Sequence, residues 1–298
     1  MYTILGATGN VGGKVATILL GKGEPVRAVA RTADHLEPLK ARGAEVHAGD
    51  LRDTVFLTRV LRGSKAVFTL IPPHYTAVNF SAYQDEVGEN IAKAVRDAGV
   101  TAVVNLSSVG ADLPSGTGPI TGLYRQEQRL SAIPSLKVLH LRPAYFMENT
   151  LMNVPLVKGQ GIMGSALRGD VLMPMVATRD IANVAAQHLL KRDFKGSTTR
   201  YLLGERHISY DEIAAVFGKR IGLPGLKYVQ FSYTDADKGM RAAGLSADVC
   251  RVFIEMSKAL NEGIIGLPLV RTSENTTPTS IEEFADVFAH AYGEAKAA

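Results

Sequence analysis

The sequence predicts an α/β protein, a Rossmann-type doubly wound parallel sheet with a smaller, mostly helical substrate-binding portion. Three observations lead there. The chain opens on a short apolar strand, Tyr2 to Leu5, that runs into Gly6, Gly9, Gly12 and Gly13 and then into a helical pattern. Strand and helix signals alternate from there on, and the strands are near-continuous apolar runs, as strands covered on both faces are. The length of 298 residues allows a large core and a second portion beside it.

In order, helical spacing at Val11, Val15, Ile18 and Leu19 gives a helix stopped by Gly21 and Gly23, and residues 25–31 read as a second strand. Residues 35–42 form a short helical segment, 45–48 a third strand and 53–62 another helix. Residues 66–71 are a fourth strand closed by Pro72-Pro73. A helix covers 80–98 with Val87, Ile91, Ala94 and Val95 on one side, and 101–106 is a fifth strand. The stretch 111–122 is a loop, either a connector or a flap over a site. A strand follows at 137–141, then 145–176, rich in Met, Gly and Pro and poor in regular period. Residues 180–190 are helical, and 200–203 are a strand that rejoins the sheet. Ser209 and Glu212 open a further helix as a capping box. Two or more helices fill 235–264, and a last one runs over 280–296. The expected division is a nucleotide-binding domain at 1–150, rejoined by about 180–206, and a discontinuous substrate-binding portion at 151–298.

Composition narrows the partners. The net charge is +4, but Lys and Arg are scattered, whereas a nucleic-acid surface needs a patch or stripe. A single cysteine, Cys250, rules out an intrachain disulfide and a cysteine-based zinc site, no metal is expected, and Cys250 itself reads as core. No apolar run approaches the roughly 18 residues of a membrane span. The glycine motif starts at residue 6, which leaves no room for a signal peptide and gives a cytoplasmic expectation.

The chemistry begins at the glycines. Gly6 permits the turn off the strand, Gly9 lets the backbone approach a pyrophosphate, and Gly12 lets the helix pack closely with its free N–H groups facing the anion. The second strand ends at Arg31. An acid there would accept from a ribose 2′-OH, whereas an arginine pairs with the 2′-phosphate of NADP. Asp50 either accepts from the adenine amino group or caps the helix at 53–62. Ser107 and Ser108 follow the fifth strand, at the sheet edge where ligands bind. Tyr124 lies beyond them at the start of a helix, and the position four residues later is Gln128, which carries no charge to lower a tyrosine pKa. His74 and Tyr75 sit on the loop after the fourth strand. The Met-rich stretch, Met147 to Met175 with Tyr145 and Phe146, reads as either an adaptable pocket lining or core.

These residues resemble the NmrA-like, atypical short-chain dehydrogenase/reductase family nearly end to end. The markers are G-A-T-G-N-V-G-G at 6–13, G-D-L at 49–51, L-I-P-P at 70–73, V-V-N-L-S-S-V-G-A at 103–111 and E-x-x-L at 127–130. L-R-P-A-Y-F-M-E-N at 141–149, G-D-V-L-M-P-M-V-A-T-R-D-I-A at 169–182, S-Y-D-E-I-A at 209–214 and S-I-E-E-F-A at 280–285 continue the series. The resemblance implies an NADP(H) site in which Gly6, Thr8, Gly9, Asn10 and Val11 hold the pyrophosphate and Arg31 holds the 2′-phosphate. Asp50 and Leu51 would meet the adenine. Leu70 and Pro72 would flank the nicotinamide, with Ser107, Pro143, Tyr145 and Phe146 near its amide. His74, Tyr75, Phe146 and Asn149 would face the substrate. The lysine that some members carry four residues before Glu127 is Leu123 here.

The family implies an NADPH-dependent oxidoreductase. With no Tyr–Lys pair, the expected reaction is hydride transfer to a small apolar, electron-poor aromatic such as a quinone or dye, with Tyr124, Ser107 and His74 as candidates for the polar catalytic contact. The alternative is a non-enzymatic NADP(H)-sensing regulator that binds a protein partner. A nucleotide-sugar epimerase would need the missing pair. A homodimer is left open.

Overall fold

The computed structural model describes residues 1–265 and 269–294. The first half alternates strand and helix: β1 (Tyr2–Leu5), α1 (Gly12–Gly21), β2 (Val26–Ala30), α2 (Glu37–Lys40), β3 (Glu45–Ala48), α3 (Thr54–Leu61), β4 (Ala66–Thr69), α4 (Phe80–Asp97), β5 (Ala102–Leu106), α5 (Ile120–Ser131) and β6 (Lys137–Pro143). The second half adds β7 (Tyr145–Phe146), α6 (Val154–Gln160), β8 (Ile162–Ser165), β9 (Met173–Val176), α7 (Thr178–Lys191), β10 (Ser197–Leu202), β11 (His207–Ile208), α8 (Tyr210–Arg220), β12 (Lys227–Gln230), α9 (Tyr233–Ala242), α10 (Ala247–Asn261) and α11 (Ile281–Glu294). Among the described residues no helix is long and apolar enough to cross a membrane.

The central sheet is a Rossmann-type α/β sheet in the order β10-β6-β5-β4-β1-β2-β3, with every neighbouring pair parallel. The chain winds outward in both directions from β1 and β4, and ligands of such sheets bind beyond the carboxyl ends of the strands at that switch. Alternate residues of each strand face opposite sides. Ile4, Ala28, Phe68, Val104 and Leu139 pack under α1 and α7, with Val15, Leu19, Ile181 and Leu189. Leu5, Val29, Val67, Val103 and Val138 pack under α3, α4 and α5, with Leu57, Ile91 and Leu130. A separate core joins α6, α8 and α11 through Met163, Met175, Phe217 and Phe288.

One row on the α4–α5 side is polar. Thr69, Asn105 and His140 lie directly opposite one another on β4, β5 and β6. The Thr69 hydroxyl donates to Asn105 Oδ1 at 3.0 Å, so the Asn105 amide N–H faces His140 Nδ1 at 3.2 Å. His140 therefore carries its proton on Nε2, which donates to Ser131 Oγ at 3.1 Å. Burial holds the imidazole neutral and lowers its pKa to about 4.

Several elements differ from the sequence reading. α5 begins at Ile120, within the stretch read as a loop, so Tyr124 lies a full turn into the helix. Pro119 at its N-cap makes no side-chain cap, which is why the start gave no signal. The stretch 145–176 is structured, but its strands are two to four residues long and its helix seven, too short to show a period. Asp53, not Asp50, caps α3 by accepting from Phe56 N at 2.9 Å. The capping box at Ser209 and Glu212 is complete. Residues 295 and 296 of the last predicted helix lie outside the described residues.

Candidate functional site

The β1–α1 connection is a close-packed backbone turn. Gly6 has φ of +65°, in the left-handed region that favours glycine, and Gly9 N donates to Gly6 O at 2.9 Å. A Cβ on Gly12 would lie 2.4 Å from Gly6 O and 2.9 Å from Gly6 C, so no larger residue fits. Nothing competes with an anion at the start of α1: Val11 makes no side-chain cap and the first turn holds no acid. Thr8, Gly9 and Asn10 are exposed, and all three line a cavity of about 1200 Å³. The turn thus has the form that fits a dinucleotide pyrophosphate.

Arg31, just beyond β2, also lines this cavity and makes no ion pair among the described residues. The nearby acid is already engaged. Asp50 receives the Arg52 guanidinium at 2.6 Å and the Arg52 backbone N–H at 2.9 Å, and Arg52 holds its carboxyl below the usual range. An arginine with no ion pair among the described residues, beside an acid already held by Arg52, suits a phosphate better than a ribose hydroxyl.

The floor of the cavity holds a buried ionic cluster. Ser107 Oγ donates to Glu127 Oε1 at 2.5 Å. Glu127 in turn receives Arg142 through Nε at 3.0 Å and Nη2 at 2.6 Å, a bidentate pair between side chains 4% and 11% exposed. Burial opposes the Arg142 charge, but the Glu127 carboxylate outweighs it and keeps the guanidinium above its usual range. Arg142 Nη1 also donates to the Tyr201 hydroxyl at 2.7 Å. With its proton committed to Glu127, Ser107 offers the cavity a hydrogen-bond acceptor.

The opposite wall is made of side chains from distant segments. β7 carries Tyr145 and Phe146 to the rim by pairing with Met175 and Val176 of β9. Glu148 fixes this segment by accepting from Thr178 N at 3.0 Å, at the start of α7. Phe253, Met256 and Leu260 form one stripe along α10 and face the cavity, with Val171, Leu172 and His207 beside them. α10 is tied down at its start: the Ser246 hydroxyl donates to Ala77 O at 2.5 Å, and Asp248 accepts from Phe80 N at 2.8 Å. Tyr75 leans on Phe253 with ring centroids 6.3 Å apart. Burial pushes the Tyr75 phenol up.

The structure gathers most of the sequence-predicted residues around this one cavity. Gly6, Thr8, Gly9, Asn10, Val11, Arg31, Leu51, Leu70, Pro72, His74, Tyr75, Ser107, Tyr145, Phe146 and Asn149 all line it. Asp50, Pro143 and Tyr124 do not. Asp50 turns to Arg52, and Pro143 ends β6 with its carbonyl accepting from Val109 N at 3.0 Å. On α5 it is Leu123 that reaches the cavity. Of the Met-rich stretch, Met147, Met163 and Met175 are core, and Met173 belongs both to that core and to the cavity wall. Cys250 is buried in α10. Sequence reasoning missed the Arg142 pairing and the α10 stripe. The arginine could have been suspected from its place beside Pro143 in an apolar strand.

The whole chain bears out these local likenesses. It is 28% identical to an NAD(P)H azoreductase of Xenophilus azovorans, over 99% of this chain and 100% of the relative. Its fold matches the triphenylmethane reductase of Citrobacter sp., solved with NADP(H), at a TM-score of 0.81 and 20% identity, over 97% and 100% of the two chains. It matches an NADPH-dependent quinone oxidoreductase of Escherichia coli, solved with NADPH, at 0.75 and 22%, over 96% and 99%. The model of the NmrA-like family matches residues 2–285, and the chain belongs to that family.

Proposed function

We propose that the protein is an NADPH-dependent reductase that passes hydride to an apolar, electron-poor aromatic such as a quinone or a dye. The observation that carries this is the single cavity, with a phosphate-fitting glycine turn and an unpaired Arg31 at one end and the apolar α10 stripe at the other. The azoreductase relative and the quinone and dye reductases of the same fold support the reading.

The glycine turn and the start of α1 would hold the pyrophosphate, Arg31 the 2′-phosphate, and Ser107 the carboxamide N–H through its acceptor lone pairs. Bound there, NADPH would supply the hydride. The chain's own contribution is orientation: Leu70 and Phe146 would flank the reacting ring, while Phe253 and Met256 press a flat acceptor toward it and exclude water. Holding two rings in near-attack geometry accounts for much of the rate in such a transfer.

The regulatory reading, an NADP(H) sensor that docks a protein partner, is the weaker one, because an azoreductase is similar along the entire chain. The deciding experiment is NADPH oxidation with a panel of quinones, azo dyes and triphenylmethane dyes. No turnover above the buffer blank with any acceptor, together with equal affinity for oxidised and reduced cofactor, would sink the reductase and favour the sensor.

A further inference from the structure

A quinone that receives hydride must also receive a proton, and the site has few groups able to give one. Ser107 has committed its proton to Glu127, Tyr124 does not reach the cavity, and His74 on its wall is engaged by the Thr76 hydroxyl at 3.4 Å and by the Tyr83 ring at 5.0 Å. Tyr145 does reach it, and its setting is unusual among the cavity residues. Its ring stands edge-on to Tyr210, centroids 6.3 Å apart at 80°, and Tyr210 stacks on Tyr228 at 4.7 Å. The Tyr228 hydroxyl lies 2.6 Å from Ser165 Oγ and donates to Leu167 O at 2.8 Å. The cluster is thus a row of three phenols leading from the cavity to the half-buried Ser165. Tyr210 and Asn149 are the polar neighbours of the Tyr145 hydroxyl, and burial raises its pKa.

We propose that Tyr145 donates the proton that accompanies hydride transfer, with the Tyr210–Tyr228 row behind it holding its ring in place. This deepens the reductase reading and rests on it. The balance is complete for a quinone. Hydride brings two electrons and one hydrogen to the acceptor, the hydroquinone anion takes the Tyr145 proton, and the Tyr145 oxygen recovers one from water that enters the cavity when the product leaves. Burial raises the Tyr145 pKa, so the phenol keeps its proton until the hydroquinone anion forms beside it, and a phenol can then act as general acid toward that anion. A cationic triphenylmethane dye differs: hydride alone makes it neutral, so no proton is required.

That difference supplies the test. Tyr145→Phe and the parent enzyme are assayed with NADPH against a quinone and a cationic triphenylmethane dye, and NADPH binding is followed by fluorescence. The expected result is a quinone-to-dye kcat ratio lowered by about 10- to 100-fold, a smaller solvent isotope effect on quinone reduction, and NADPH affinity within about twofold of the parent. Tyr210→Phe keeps Tyr145 in place and should shift the ratio the same way by less. An unchanged ratio overturns the proposal, whether both rates fall together or neither does. Loss of NADPH affinity in step with kcat overturns it too, and makes Tyr145 a cofactor contact only. If the parent enzyme turns over neither acceptor, the reductase reading itself has failed.

Discussion

The two ends of the cavity are built by opposite means. At the phosphate end the ligand-facing surface is backbone: a turn closed by Gly9 N to Gly6 O, with Gly12 too crowded for a side chain. Beneath it lie buried polar groups, each with a defined partner: Thr69, Asn105 and His140 in one row, Ser107, Glu127 and Arg142 in another. At the apolar end the surface is side chains, Phe253, Met256 and Leu260 from α10 and Tyr145 from a two-residue strand. A backbone site is specified by sterics and changes only with the fold. A side-chain site can be altered one residue at a time while the frame beneath it stays the same.

If that contrast is right, changes at the first end cost stability or cofactor affinity, and changes at the second alter acceptor use alone. The largest effect is expected from Glu127→Ala. It strands Arg142 in a nearly dry position and should cost about 3–5 kcal/mol in urea unfolding. Acid provides the next break. His140 is neutral in the folded state with a pKa near 4, while the unfolded chain takes up the proton near 6.5. Stability should therefore fall as pH drops from 6.5 to 4, by about 3 kcal/mol in all from this group. His140→Gln should flatten that segment of the stability–pH curve, and an equally steep curve in the variant would contradict a neutral His140 in the buried row. Arg31→Ala should leave the melting temperature alone but weaken NADPH binding by about 1.5–3 kcal/mol, with NADH little affected. Equal losses for both cofactors would remove the 2′-phosphate assignment. The smallest effect belongs to Met256→Ala. The KM for an aromatic acceptor should rise on the order of fivefold, with stability and NADPH affinity nearly constant. A large stability loss there would mean that α10 is core rather than wall.

The same division explains what could be read from the sequence. Gly6, Gly12 and Arg31 were legible because turn geometry, close approach and charge are local properties. The capping box at Ser209 follows local rules as well. The Glu127–Arg142 pair was not legible, since charged residues are rarely buried and the partners come from different elements. Phe253, Met256 and Leu260 could not be told from core, because an apolar stripe on a helix looks alike whether it meets another helix or a cavity. Asp50 could be read two ways for a related reason: nothing local announces that Arg52 folds back onto it.

The position of β10 has a consequence for how the chain folds. β10 pairs with β6 from Ser197 opposite Val138 to Leu202 opposite Pro143, yet the chain makes its whole β7–α7 excursion between them. Until residues 197–202 arrive, the β6 edge stands open with Val138, Leu139 and Leu141 in a row, a template for another chain's strand. When β10 docks, it closes that edge and leaves outermost a short segment, Ser-Thr-Thr-Arg, that is polar and largely exposed. The last strand of the sheet in chain order therefore also protects it: it replaces an aggregation-prone border with a hydrophilic one.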